Sequence, residues 1–310
     1  MKKYVLIALL ALLLVFSAGC AKKEDSEKTT PFYGGTGGVS IEFKKIAPKD
    51  NFNQGEEVPV VVSLKNSGEY DIISGNAKAE IYGINHELFN IPEGYKGTNG
   101  ILRGRGEFNI EGGEREISFG NMKYTGEIIN SREQIIRARV CYPYQTKTDI
   151  PICIKSSGEN GESICSVDGE KVVSQGKNTG SGYVSSAPIQ ITSVAEKTRG
   201  SNQVRFDIKV ENKGSGRVYS NDATCESLSD ELVQQNKMDK IYLEVINPLE
   251  VTCGFRSGED SNKGYIEMDN NQEIISCWIE SENTYTDTLR LTLSYMYTDT
   301  TQKKITIFEK

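Results

Sequence analysis

Apolar residues recur at every second position over much of this chain. Val58, Val60, Val62 and Leu64 lead into Asn66-Ser67-Gly68. Later, Val204, Phe206, Ile208 and Val210 alternate with Arg205, Asp207, Lys209 and Glu211 and lead into Asn212-Lys213-Gly214. A period of two with one apolar and one charged face predicts antiparallel strands that bury a single side. The Asn-x-Gly that follows predicts a turn in which positive φ is cheap. Val39, Ile41 and Phe43 predict the first strand, and Pro48 and Asn51–Gly55 break it. Helix signals are scarce. In "CESLSDELVQQNKMDK", Ser229 is placed to cap a short helix whose stripe would be Leu232, Val233 and Met238.

The strand pattern occurs twice. Asn66 and Gly68 return as Asn212 and Gly214, 146 residues on. "IRARVCYPY" puts Ile136, Ala138, Val140, Tyr142 and Tyr144 on one face, and "LRLTLSYMY" repeats this with Leu289, Leu291, Leu293, Tyr295 and Tyr297, 153 residues on. Ile152 and Ile154 then match Ile305 and Ile307. The polar "QTKTD" between Tyr144 and Ile150 predicts the turn of a terminal hairpin. Loop insertions account for the drift in offset, so the chain is an internal duplication. The expected fold is all-β: two tandem immunoglobulin-like β-sandwiches, residues 38–155 and 187–310, joined by a Gly/Ser/Asn/Lys-rich linker at 156–186. The strand ending in Asn-x-Gly and the aromatic last hairpin resemble the CARDB immunoglobulin-like domains of prokaryotic surface proteins. That resemblance implies an adhesion or binding unit and no catalyst.

The first twenty residues bear on location. "MKKYVLIALLALLLVFSAGC" has two lysines, an apolar run from Tyr4 to Phe16 and small residues before Cys20, the form of a secretory signal. The run is shorter than the roughly 20 residues a spanning helix needs. Ala18-Gly19-Cys20 resembles a lipobox, with Ser17 standing where an apolar residue is usual. The resemblance implies cleavage before Cys20, its acylation and anchorage to the outer side of the cell membrane. Residues 21–37, charged and then Gly-rich, are expected to be a flexible tether. Signal, tether and two modules together resemble a prokaryotic surface lipoprotein, an archaeal source being one option. The formal charge of −7 over 310 residues offers no basic footprint for nucleic acid.

Six further cysteines, an even number in a secreted chain, predict disulfides. By alternation Cys141 and Cys153 point outward, and the duplicate carries Ser294 and Thr306 in their places, so the two are expected to bond across the terminal hairpin. Cys253 and Cys277 lie on apolar faces, which predicts an internal bridge. Cys165 and Cys225 remain, either linking the modules or with Cys165 competing for Cys153. No CxxC pair occurs, which argues against zinc.

Little in the chain suggests catalysis. It has one histidine, His86, and no GxSxG, HExxH or phosphate loop. Asp260 and Asn262 are spaced somewhat as in a calcium loop but lack the full oxygen set. Trp278, the sole tryptophan, reads as core or sheet surface rather than a sugar platform. The expectation is therefore a non-catalytic protein, without cofactor, that binds an extracellular protein or glycan. The alternatives are a structural subunit of a surface filament or envelope layer, and an accessory to a glycan or peptide hydrolase.

Overall fold

A computed structural model describes residues 32–155, 165, 167, 169–174, 182–200, 202–246 and 251–310. Ten strands carry the repeat. The first copy supplies β1 (Val39–Phe43), β2 (Glu57–Asn66), β3 (Lys78–Tyr82), β4 (Glu114–Lys123) and β5 (Ser131–Ile154). The second supplies β6 (Ile189–Arg199), β7 (Gln203–Asn212), β8 (Lys240–Ile246), β9 (Gln272–Glu280) and β10 (Tyr285–Phe308).

The fold is all-β, with sheets packed face to face. In the first copy β2 lies between β1 and β4, pairing Val39 with Asn66 and Glu57 with Lys123. In the second, β7 lies between β6 and β9, pairing Ile189 with Asn212 and Arg205 with Trp278. The apolar positions that predicted these strands are the buried ones: Val58, Val60, Val62 and Leu64, and Val204, Phe206, Ile208 and Val210 are at most 1% exposed. Each three-strand layer faces its copy's last long strand, flanked by β3 in one copy and β8 in the other.

The terminal hairpins do not exist. β5 and β10 are each a single strand of 24 residues, and Gln145–Asp149 is strand rather than turn. The two strands pair antiparallel along their whole length, from Tyr285 opposite Ile154 to Phe308 opposite Ser131. The register puts Tyr142 opposite Tyr297, Tyr144 opposite Tyr295, and Pro143 opposite its own counterpart Met296. A pseudo-two-fold axis therefore passes through the Pro143/Met296 pair. Strands Gly169–Ser174 and Gly182–Val184, from the stretch read as a linker, pair with β6 and β5 and carry one continuous sheet across both copies. The main core is likewise one cluster spanning both copies, from Val39 to Ile307.

The short helix is present with different particulars. It spans Glu231–Lys237, and Asp230, not Ser229, caps it by accepting from the N–H groups of Leu232 and Val233. Its stripe is not buried, since Leu232 is 72% exposed. The preceding turn docks instead: Leu228, Ala223 and Tyr219 form a second small core against Cys141 and Met296, on the outer face of the ribbon.

Candidate functional site

All six cysteines of the folded part are bridged; the expected Cys141–Cys153 bond does not form, and Cys165 takes Cys153, the alternative left open by the sequence. Cys141 bonds Cys225 and Cys153 bonds Cys165, while Cys253–Cys277 is as anticipated. A Cys141–Cys153 bond required a hairpin to bring the two together, and within one strand they lie far apart. Cys141 does face outward, but the segment Tyr219–Leu228 covers that face and brings Cys225 to it. The pair fastens the second copy onto β5 of the first.

The two Asn-x-Gly turns have the same internal structure. Asn66 is fully buried. Its Nδ2 donates to the carbonyls of Tyr70 (2.7 Å) and Leu102 (3.3 Å), and its Oδ1 accepts from the Gly68 N–H (3.1 Å) and the Tyr144 hydroxyl (3.0 Å). Asn212 does likewise with the Gly216 carbonyl, the Gly214 N–H and the Tyr297 hydroxyl. Neither glycine lies at positive φ. Each is required by close approach, since a Cβ on Gly68 would lie 1.9 Å from the Tyr144 oxygen and one on Gly214 would lie 2.3 Å from that of Tyr297. Tyr142 and Tyr295 complete the set by accepting from the N–H groups of Val39 and Ile189. The four rings form a closed cycle about the pseudo-axis, with centroids 5.6–6.3 Å apart. Burial pushes all four phenols up, Tyr297 to about 12, so every hydroxyl keeps its proton and its capacity to donate.

An open cleft of about 790 Å³ lies at this waist, lined in part by Phe32, Tyr33, Tyr70, Arg105, Gln145 and Lys147. Glu69 organises it. Its carboxylate accepts from the N–H groups of Tyr33 (2.8 Å), Gly34 (3.0 Å) and Ser186, tying the end of the tether, the turn after β2 and the inter-copy connection together. Arg105 lies over the Tyr33 ring at 5.4 Å and donates to the carbonyls of Gly34 and Ile110. Gln145 and Lys147 project from the outer face of β5, and Gln145 donates to Ser294 on β10. The cleft thus offers aromatic faces, cations and an amide, a lining suited to holding a ligand by stacking and hydrogen bonds. Glu69 was not apparent from the sequence pattern. The signal was there in the duplication, because Ser215 stands where the second copy would repeat the carboxylate.

The other sequence candidates do not join the cleft. Cys20 lies outside the described residues. Asp260 pairs with Lys263 at 2.9 Å, and the Asn262 amide donates to the Val245 carbonyl, so neither is part of an oxygen cage. Among the described residues no group of three His, Cys, Asp or Glu side chains could hold a metal ion. The imidazole Nδ1 of His86 lies 3.1 Å from the Ile91 carbonyl, a structural contact in a one-turn helix. Comparison with protein-family models gives no match, and comparison with curated proteins gives none either.

Proposed function

We propose that this protein is a non-catalytic lipoprotein, anchored to the outer side of the cell membrane through acylated Cys20, whose β-sandwich body binds extracellular macromolecules. The observation that carries the reading is the sequence Ser17-Ala18-Gly19-Cys20, closing a short apolar segment and followed by a charged tether. Consistent with it, Glu69 and Arg105 fasten the residues that end the tether to the waist. Three disulfides fit an oxidising compartment. Among the described residues no helix is long and apolar enough to cross a membrane. CARDB-like modules, which the strand pattern resembles, are binding units. A filament subunit is the second reading, favoured by the edge strands Val251–Cys253 and Ser257–Asp260 that end the shared sheet.

Replacing Cys20 by Ser tests the anchor. The substituted protein is expected in the soluble fraction without an acyl adduct, and retention in the membrane at unchanged mass refutes lipidation. Capture of an envelope component by monomer supports binding, whereas concentration-dependent assembly of the pure protein supports the filament.

A further inference from the structure

Trp278 is not in the core. It projects from the solvent face of β9, half-buried, with Arg205 opposite it on β7 and Thr252 opposite it on the neighbouring edge strand. Among the described residues its ring stacks on no other aromatic or cation, and its indole N–H has no hydrogen-bond partner. It borders an open depression of about 520 Å³ shared with Arg199, Asn202, Gln203 and Glu280, at the tip of the β6–β7 hairpin.

The fold does not require an aromatic residue there. The duplication equates Arg205 with Pro59, and the residue opposite Pro59 on β4 is Asn121. The first copy builds the same layer with a small amide in that place. The surroundings of Trp278 are polar and largely set in position. Gln203 donates to Glu280 at 3.1 Å. Arg205, opposite Trp278 in the ladder, is engaged by Asp207 and Ser276, both at 2.7 Å, and makes no cation–π contact with the ring. Arg199 makes no ion pair among the described residues.

We propose that this depression is a carbohydrate-binding site in which Trp278 stacks against a neutral pyranose ring. A sugar ring has an apolar face of C–H groups and an equatorial rim of hydroxyls that both donate and accept. Trp278 supplies the plane for the first. The Asn202 and Gln203 amides, the Glu280 carboxylate, the Arg199 guanidinium and the indole N–H supply partners of both senses for the second. The core of a protein partner's interface would instead call for contiguous apolar area, and here a single ring is surrounded by polar groups. The overall negative charge gives no attraction for a polyanion. This proposal rests on the reading of an exterior binding protein and specifies its ligand as glycan.

One ring of about a dozen heavy atoms on an open surface binds on the order of millimolar, so a polymer engaging many anchored copies would supply the avidity. Because Trp278 is the only tryptophan in the chain, its fluorescence reports this site alone. The full chain, purified from membranes in a detergent without a sugar headgroup, is titrated with cellohexaose, laminarihexaose, mannohexaose and chitohexaose. At least one should change the emission saturably. The parent polymers should retard the protein in affinity electrophoresis. Trp278→Asn, the residue the first copy uses, should abolish retardation with the circular dichroism unchanged, and Gln203→Ala should weaken binding about tenfold. Absence of both an emission change and retardation with all four glycans overturns the proposal, as does full binding by Trp278→Asn. Neither result touches the anchor, which Cys20→Ser and mass analysis decide separately.

Discussion

Asn66 and Asn212 make nearly the same contacts at different depths, so replacing each by alanine isolates the effect of burial. Asn66→Ala removes four hydrogen bonds from a site closed to water. The Gly68 N–H, the Tyr144 hydroxyl and the Tyr70 carbonyl are left without that partner, and each orphaned buried group costs about 1–3 kcal/mol before relaxation. A loss of about 3–5 kcal/mol is expected. Asn212 is partly exposed, and the Gly214 N–H keeps a second acceptor in the Pro188 carbonyl. Water replaces the remainder, so Asn212→Ala should cost only about 1–2 kcal/mol. The assay is urea unfolding of the oxidised protein followed by far-UV circular dichroism. Tyr144→Phe should cost less in Asn66→Ala than in the native background, because the shared bond is already gone and only the acceptance from the Tyr70 N–H at 3.4 Å is left to lose. If Asn66→Ala stays within about 1 kcal/mol of the parent, or Asn212→Ala costs as much, the corner is not the buried hydrogen-bond centre described above.

Other expectations follow from the same structure. Gly68→Ala should fail to give soluble protein, because its Cβ would meet the Tyr144 and Gly37 oxygens at 1.9 and 2.5 Å, whereas Gly106→Ala, with nothing within 4 Å, should express normally. Non-reducing peptide mapping should recover Cys141 linked to Cys225. Removing that bridge, which closes 84 residues, should cost about 4–5 kcal/mol on the chain-entropy estimate, against about 3 kcal/mol for the Cys153–Cys165 bridge closing 12. Burial works to raise Glu211, but Lys213 at 2.8 Å and Lys209 at 3.0 Å overcome it and hold the carboxyl at about 2. A depressed folded-state pKa stabilises above the unfolded value, so this contribution is lost as pH falls from about 4.5 towards 2. Glu211→Gln should flatten the stability profile in that window, and an unchanged acid limb would refute the assignment.

Strand positions and buried faces could be read from alternation because burial on one side of a sheet imposes a period of two. The long strands could not, because "QTKTD" looks like a turn by composition. The corrective signal was phase. Even-numbered positions stay inward from Ile136 through Thr146 and Thr148 to Ile154, without the slip a loop would introduce. Thr146 fits inside the strand because its hydroxyl donates to the Ile189 carbonyl at 2.6 Å, whereas Thr148 is buried there with its hydroxyl unpaired. The missed disulfide partners follow from that single error. Glu69 was hidden for a different reason, since it sits where the two copies differ, and a repeat draws the eye to what they hold in common.

The Pro143/Met296 axis has a bearing on how separate copies would pair. One copy by itself would end in a 24-residue strand with most of one edge unpaired, and its register is self-complementary: the rung that joins Tyr142 to Tyr297 is the rung that joins Tyr144 to Tyr295. Two identical single-copy chains would pair the same way about a true two-fold axis, each closing the other's open edge. What would be a subunit contact between two single-copy chains is here the interior of one chain. Within one chain the two halves need not be alike, and Glu69, Cys225 and Trp278 each occur on one side only.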